Sequence, residues 1–117
     1  LSKTSYKYQT DGSLTDNTKS DFPTPLGDES LINRIHYQLE TSEAEISLLN
    51  GEESIRINEA SWSGKGSRLS YVSWTKPGAP YFCLEPWMSP PNAPENKTVQ
   101  YVSPGAREEF TIEVELA

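Results

Sequence analysis

One cysteine, one histidine and one methionine are all that the 117 residues contain of these types. Cys83 has no partner within the chain, so no internal disulfide staples the fold. That composition fits a reducing compartment, the cytoplasm or an organelle interior, although a disulfide-free secreted domain shares it. His36 and Cys83 do not make the paired ligand spacing of a zinc site, and no metal is expected. Basic residues are scarce as well: ten against seventeen acids, a net charge of −7. Nucleic acids and anionic membrane surfaces are met with a basic face, so neither is expected as a partner. No apolar run approaches the roughly 18–20 residues of a membrane-spanning helix. The opening LSKTSYKYQT lacks the apolar stretch of a signal peptide. The chain opens on Leu1 rather than Met, which reads as a processed chain or a piece of a longer one.

What the sequence has is alternation. In RIHYQLE, Ile35, Tyr37 and Leu39 share one face while His36, Gln38 and Glu40 share the other. Ala44, Ile46 and Leu48 alternate with acids and Ser47; Ile55 and Ile57 alternate with Ser54, Arg56 and Asn58. Phe110, Ile112, Val114 and Leu116 alternate with Thr111, Glu113 and Glu115. Period two is the mark of half-buried antiparallel strands. Weaker strands are read at 5–9, 68–74 and 98–102. Ser30–Gln38 has a helical alternative of a turn or two, but its β-branched and aromatic residues favour a strand.

Breakers separate these runs. Asn50-Gly51 signals a hairpin whose loop is two residues or longer. Pro104-Gly105 fits a type II turn, proline second and glycine third. Residues 10–30 are polar and hold two prolines and two glycines, so they read as a long loop or an extended arm. The expected organisation is an N-terminal strand and polar loop over 1–30, then an all-β portion, a sandwich or barrel, over 31–117.

Few residues are placed to do chemistry. Cys83 and His36 make a nucleophile and base on paper, but a cysteine in an apolar strand reads more simply as a small core residue. SGKGS at 63–67 lacks the helix that a phosphate loop needs and reads as a surface loop. The sequon Asn96-Lys97-Thr98 matters only in a secreted chain. His36, on the polar side of its strand, is either plainly solvent-facing or a donor to a ligand oxygen. Trp62, Trp74 and Trp87 are core residues or the apolar floor of a sugar site. Glu85 is the sharpest point. YFCLEPW sets a carboxylate at the end of an apolar strand, ahead of Pro86, which ends the strand or marks an edge. Such a glutamate is either an ordinary exposed acid or a base whose pKa burial raises.

GAPYFCLEPW at 78–87, a loop with Asn92-Ala93, and VSPGAREEFTIEVEL at 102–116 together resemble the C-terminal end of aldose 1-epimerases, the galactose mutarotase-like group. The resemblance covers 78–117; DESLI at 28–32 and SEAEISL at 42–48 are looser matches, and 1–27 has none. The resemblance implies the C-terminal part of a large antiparallel β-sandwich. It implies interconversion of the α and β anomers of a free monosaccharide by acid–base ring opening, without a cofactor. In this likeness Glu85 is the general base and Asp28 helps hold the sugar hydroxyls, while Trp87, shaping the wall, and His36, the donor read above, are the further residues expected against the sugar.

The chain departs from the pattern. The family's enzymes are more than twice as long, and their acid is a histidine of an N-terminal part without counterpart here. His36 stands only 49 residues before Glu85, too near to be that acid. A second polypeptide segment completing the sandwich is therefore expected. The alternatives are a non-catalytic carbohydrate-binding module, or a reduced homologue used as a structural subunit of a larger complex.

Overall fold

Alternating apolar and polar residues favour the pleated strand, because each face then meets one environment. The computed structural model describes residues 4–8, 14–18, 24–37, 39–48, 50–61, 68–90, 94 and 99–117. Its regular structure is nearly all strand: β1 Thr4–Tyr8, β2 Leu14–Thr18, β3 Arg34–Tyr37, β4 Ala44–Ser47, β5 Ser54–Glu59, β6 Ser70–Trp74, β7 Cys83–Trp87 and β8 Ile112–Leu116. They form two sheets, one ordered β2-β1-β3-β6-β7 and the other β4-β5-β8, with every pairing antiparallel. The chain is thus all-β, as its alternation predicts. No helix of the described residues is long and apolar enough to cross a membrane.

Three local readings change. The stretch 10–30 is not all loop, because β2 lies within it and pairs with β1. Just before β3 the chain takes one 3-10 turn, Glu29–Leu31, capped by Asp28. No strand forms over 99–102, where Tyr101 and Val102 are exposed. Trp62, SGKGS and the sequon fall outside the described residues.

The turns follow their chemistry. Asn50-Gly51 joins β4 to β5 through a loop in which Gly51 takes φ +69° and donates to Leu48 O at 2.9 Å. At Pro77-Gly78 and Pro104-Gly105 the glycines take φ +72° and +77°. Across these turns Ala79 N–H donates to Lys76 O at 3.0 Å and Ala106 N–H to Ser103 O at 2.9 Å. A Cβ at either glycine would meet nothing within 4 Å, so only the backbone resists substitution. Gly78→Ala and Gly105→Ala are each expected to cost about 1 kcal/mol, the left-handed penalty of an L residue. Gly27→Ala, where φ is not positive and space is also open, should be neutral or stabilising. Thermal melts of the three variants compare them directly.

The core lies where the sheets meet. Tyr71 from β6 packs with Ala44 of β4 and with Leu39 and Leu69, flanked by Ile57, Leu84 and Ile112. Each element contributes one face of its alternation. The Tyr71 hydroxyl crosses to the smaller sheet and is 2.7 Å from Ser42 O and 3.2 Å from Ile57 O. One end of the interface is closed by charge. Glu59, at the end of β5, is buried and receives Arg68 Nε at 2.7 Å. Arg68 also donates Nη1 to Glu108 at 2.9 Å and Nη2 to the Glu109 carbonyl. The arginine thereby ties the segment before β8 to β5.

Candidate functional site

Strand register decides which residues can share a site, since residues directly opposite one another point to the same face. Ile35, Val72 and Glu85 stand in one row across β3, β6 and β7, and His36, Tyr71 and Pro86 in the next. Successive residues of a strand alternate faces, so Glu85 and His36 lie on opposite faces of the sheet. His36 is on the side of Tyr71 and the core.

The structure therefore corrects the surface reading of His36. It is 4% exposed, beside Ile35 at 1%. Simple alternation fails here because Ile35 and His36, on opposite faces of β3, are both buried, so the strand has no solvent face at this point. His36 Nε2 lies 2.8 Å from Ser73 Oγ, and Ser73 Oγ lies 2.8 Å from Leu31 O. A carbonyl only accepts, so the serine's single hydrogen goes to Leu31. The His36 ring must then donate from Nε2, which selects that tautomer. Burial first, and the Arg34 guanidinium second, lower the His36 pKa to about 4.

That shift has a measurable consequence. Above the unfolded histidine value of about 6.5 neither state binds the proton, and His36 adds no pH dependence. Below it the unfolded chain takes up a proton that the folded chain refuses until about pH 4. Stability then falls as pH drops through this window, by up to about 3 kcal/mol from this residue. Urea midpoints at several pH values should show this arm in the parent, and His36→Asn should flatten it.

Glu85 sits in the middle of β7, not at its end, opposite Val72. The strand continues through Pro86 to Trp87 because β7 is an edge, where a residue without an N–H is tolerated. Period two along β7 puts Cys83, Glu85 and Trp87 on one face, and Trp74, opposite Cys83, joins them from β6. The Trp87 indole N–H donates to Glu85 Oε2 at 3.1 Å. Glu85 is half-buried, while Trp87 is 39% exposed. Tyr81, in the connection before β7, stacks on Trp74 with ring centroids 5.8 Å apart at 28°. Its backbone carbonyl accepts from Thr75 Oγ1 at 2.6 Å, which holds the approach to β7. The result is one surface with a stacked aromatic pair at one end, an indole at the other and a carboxylate between.

Tyr81 was not singled out by sequence reasoning. The signal was the spacing Tyr81-x-Cys83-x-Glu85-x-Trp87, which places all four on one side of an extended chain.

Asp28 is engaged in the turn before β3. Its exposed carboxylate accepts Ser30 N–H at 2.8 Å and caps the 3-10 turn, and the Ser30 bond lowers its pKa. A groove of about 530 Å³ opens beside it, lined in part by Leu26, Glu29, Ile32, Pro77, Tyr81 and Phe82. Glu85 is four residues from Tyr81, about 13 Å along an extended strand, and does not line the groove. Tyr81 belongs to both places. Among the described residues no group of three or more His, Cys, Asp or Glu is arranged to hold a metal ion.

Comparison with known proteins adds no relative: no protein-family model matches the chain, and no curated protein or solved structure matches it.

Proposed function

We propose that this chain is the base-bearing part of an aldose 1-epimerase-like protein, an antiparallel β-sandwich that interconverts the α and β anomers of a free monosaccharide. The observation that carries this reading is the Glu85–Trp87 pair on an aromatic face, with the indole N–H 3.1 Å from the carboxylate. The indole fixes Oε2 and leaves Oε1 to take the proton of an anomeric hydroxyl. A sugar ring is apolar on its faces and polar on its rim, so it lies against Trp87 and turns hydroxyls toward Glu85. The ring opens when an acid protonates the ring oxygen, the C1–C2 bond turns, and closure on the other face gives the second anomer. No cofactor takes part.

His36 is not that acid, since it is buried on the opposite face of the sheet. The acid belongs to a second polypeptide segment, whose placement over the Glu85 face also completes the sugar's surroundings. Asp28 is held at the 3-10 turn by Ser30 and is not among the groups this reading uses.

Polarimetry of the protein together with its acid-bearing segment tests the base. Glu85→Gln should slow mutarotation by roughly 10²–10⁴-fold, the usual worth of a positioned general base. Unimpaired mutarotation would remove Glu85 from the mechanism.

The second reading, a carbohydrate-binding module without turnover, is favoured by the absence of any described histidine on the Glu85 face. It predicts that glucose or galactose perturbs the tryptophan fluorescence of the isolated chain, that Trp87→Ala weakens this binding, and that mutarotation stays at the uncatalysed rate.

A further inference from the structure

We propose that β8 is a docking edge for an extended strand of another polypeptide, one whose residues alternate between basic and apolar. The hydrogen-bond phase of the ladder points there. Ala117 N–H donates to Ser54 O at 2.8 Å and Ser54 N–H to Ala117 O at 2.9 Å. At the other end Ala60 N–H donates to Thr111 O at 2.9 Å. In an antiparallel ladder the residues that bond across a pair alternate with residues that bond away from it. Thr111, Glu113, Glu115 and Ala117 therefore bond to β5, while Ile112, Val114 and Leu116 turn N–H and C=O the other way. β8 is the last strand of its sheet, and among the described residues no strand lies on that side.

The side chains agree with the backbone. Val114 and Leu116 are 65% and 86% exposed, although they continue the face on which Ala44 and Ile57 meet the core. The opposite face of β8 carries Glu113 and Glu115, both exposed and given no ion pair among the described residues. Arg56, across from Glu115, is already engaged by Glu45 at 3.3 Å. Natural sheets protect an open edge with charged side chains, lysine above all, with proline or with a bulge. The edge β7 has Pro86, whereas β8, IEVEL, has neither proline nor bulge and only its two glutamates, a guard that basic residues neutralise.

Charge selects the occupant. A strand added to β8 sets residues opposite Glu113 and Glu115, and basic ones form favourable cross-strand pairs. Its apolar residues, opposite Ile112, Val114 and Leu116, extend a row that is packed at Ile112 and uncovered at Val114 and Leu116. A second copy of this chain is the wrong partner. Antiparallel pairing of β8 with itself sets acid against acid, a shift of one residue sets acid against apolar, and each copy carries −7. This inference does not depend on the sugar reading of Glu85.

The test uses two short synthetic peptides, one alternating lysine and valine, the other glutamate and valine, titrated into isotopically labelled protein. The lysine peptide should shift the amide resonances of Ile112, Val114 and Leu116 and slow their hydrogen exchange; the glutamate peptide should not. The double variant Glu113→Lys/Glu115→Lys should reverse the preference. Val114→Pro removes an N–H that β5 does not use, so it should keep the fold and weaken binding by about tenfold or more. Failure of the lysine peptide to protect these amides overturns the proposal. So does a charge-reversed variant that keeps the parent's preference, or self-association of the parent through β8 in sedimentation. Should Val114→Pro not fold, the charge reversal decides.

Discussion

Arg68→Met should lower stability by about 3–5 kcal/mol, the cost of leaving a buried charge without its partner. The Glu59 side chain is fully buried and that of Arg68 only 8% exposed. Arg68 Nη2 is 2.6 Å from Glu59 Oε1, and Ser61 Oγ adds a bond to the same oxygen at 3.1 Å. Glu59 Oε2 finds no hydrogen-bond partner among the described residues, so the guanidinium is the main compensation for the carboxylate. The same arginine bonds Glu108 and the Glu109 carbonyl, so its loss also frees the segment leading into β8. Against a typical domain stability of about 5–15 kcal/mol, this substitution removes a large share. The double variant Glu59→Met/Arg68→Met should recover most of the loss, because it removes both desolvation penalties together. Urea denaturation of the two singles and the double forms the cycle. A double variant no better than Arg68→Met would mean that tethering 107–109, not charge compensation, is what the arginine contributes.

Tyr71→Ala should cost about 3–5 kcal/mol, as for other large aromatic truncations in a core. The residue is 1% exposed and reaches from β6 into the cluster that joins the two sheets. Tyr71→Phe keeps the ring and loses only the hydroxyl's bond to Ser42 and Ile57, for about 1 kcal/mol. The gap between the two separates packing from hydrogen bonding. Burial, with smaller contributions from the Glu59 and Glu43 carboxylates, pushes the Tyr71 pKa up to about 12. The unfolded phenol ionises near pH 10, roughly the free value. Stability contributed by Tyr71 is therefore intact below pH 10 and is lost as pH rises from there toward 12. Tyr71→Phe should remove that alkaline decline, which denaturant midpoints across the range will show.

The local readings that held rest on local physics. Asn50-Gly51, Pro104-Gly105 and the alternations at 44–47, 54–57 and 112–116 became turns and strands because glycine at positive φ and a period of two need no distant partner. Reading 10–30 as loop failed for the opposite reason: LTDNT carries little strand propensity, and β2 exists by pairing with β1. Of the candidate site, the spacing Glu85-x-Trp87 by itself placed the carboxylate and indole on one face. Whether Glu85 sat at a strand's end or within an edge strand needed β6 beside it.

The sequence by itself determined the all-β class, the turns and the two-residue period that puts Glu85 with Trp87, since each is a property of neighbouring residues. Only the tertiary structure decided that His36 is buried, that it lies on the face away from Glu85, and that Val114 and Leu116 stay uncovered. Which faces of a strand are covered is set by the layers packed on its sheet, through contacts between residues far apart in the chain, which alternation does not encode.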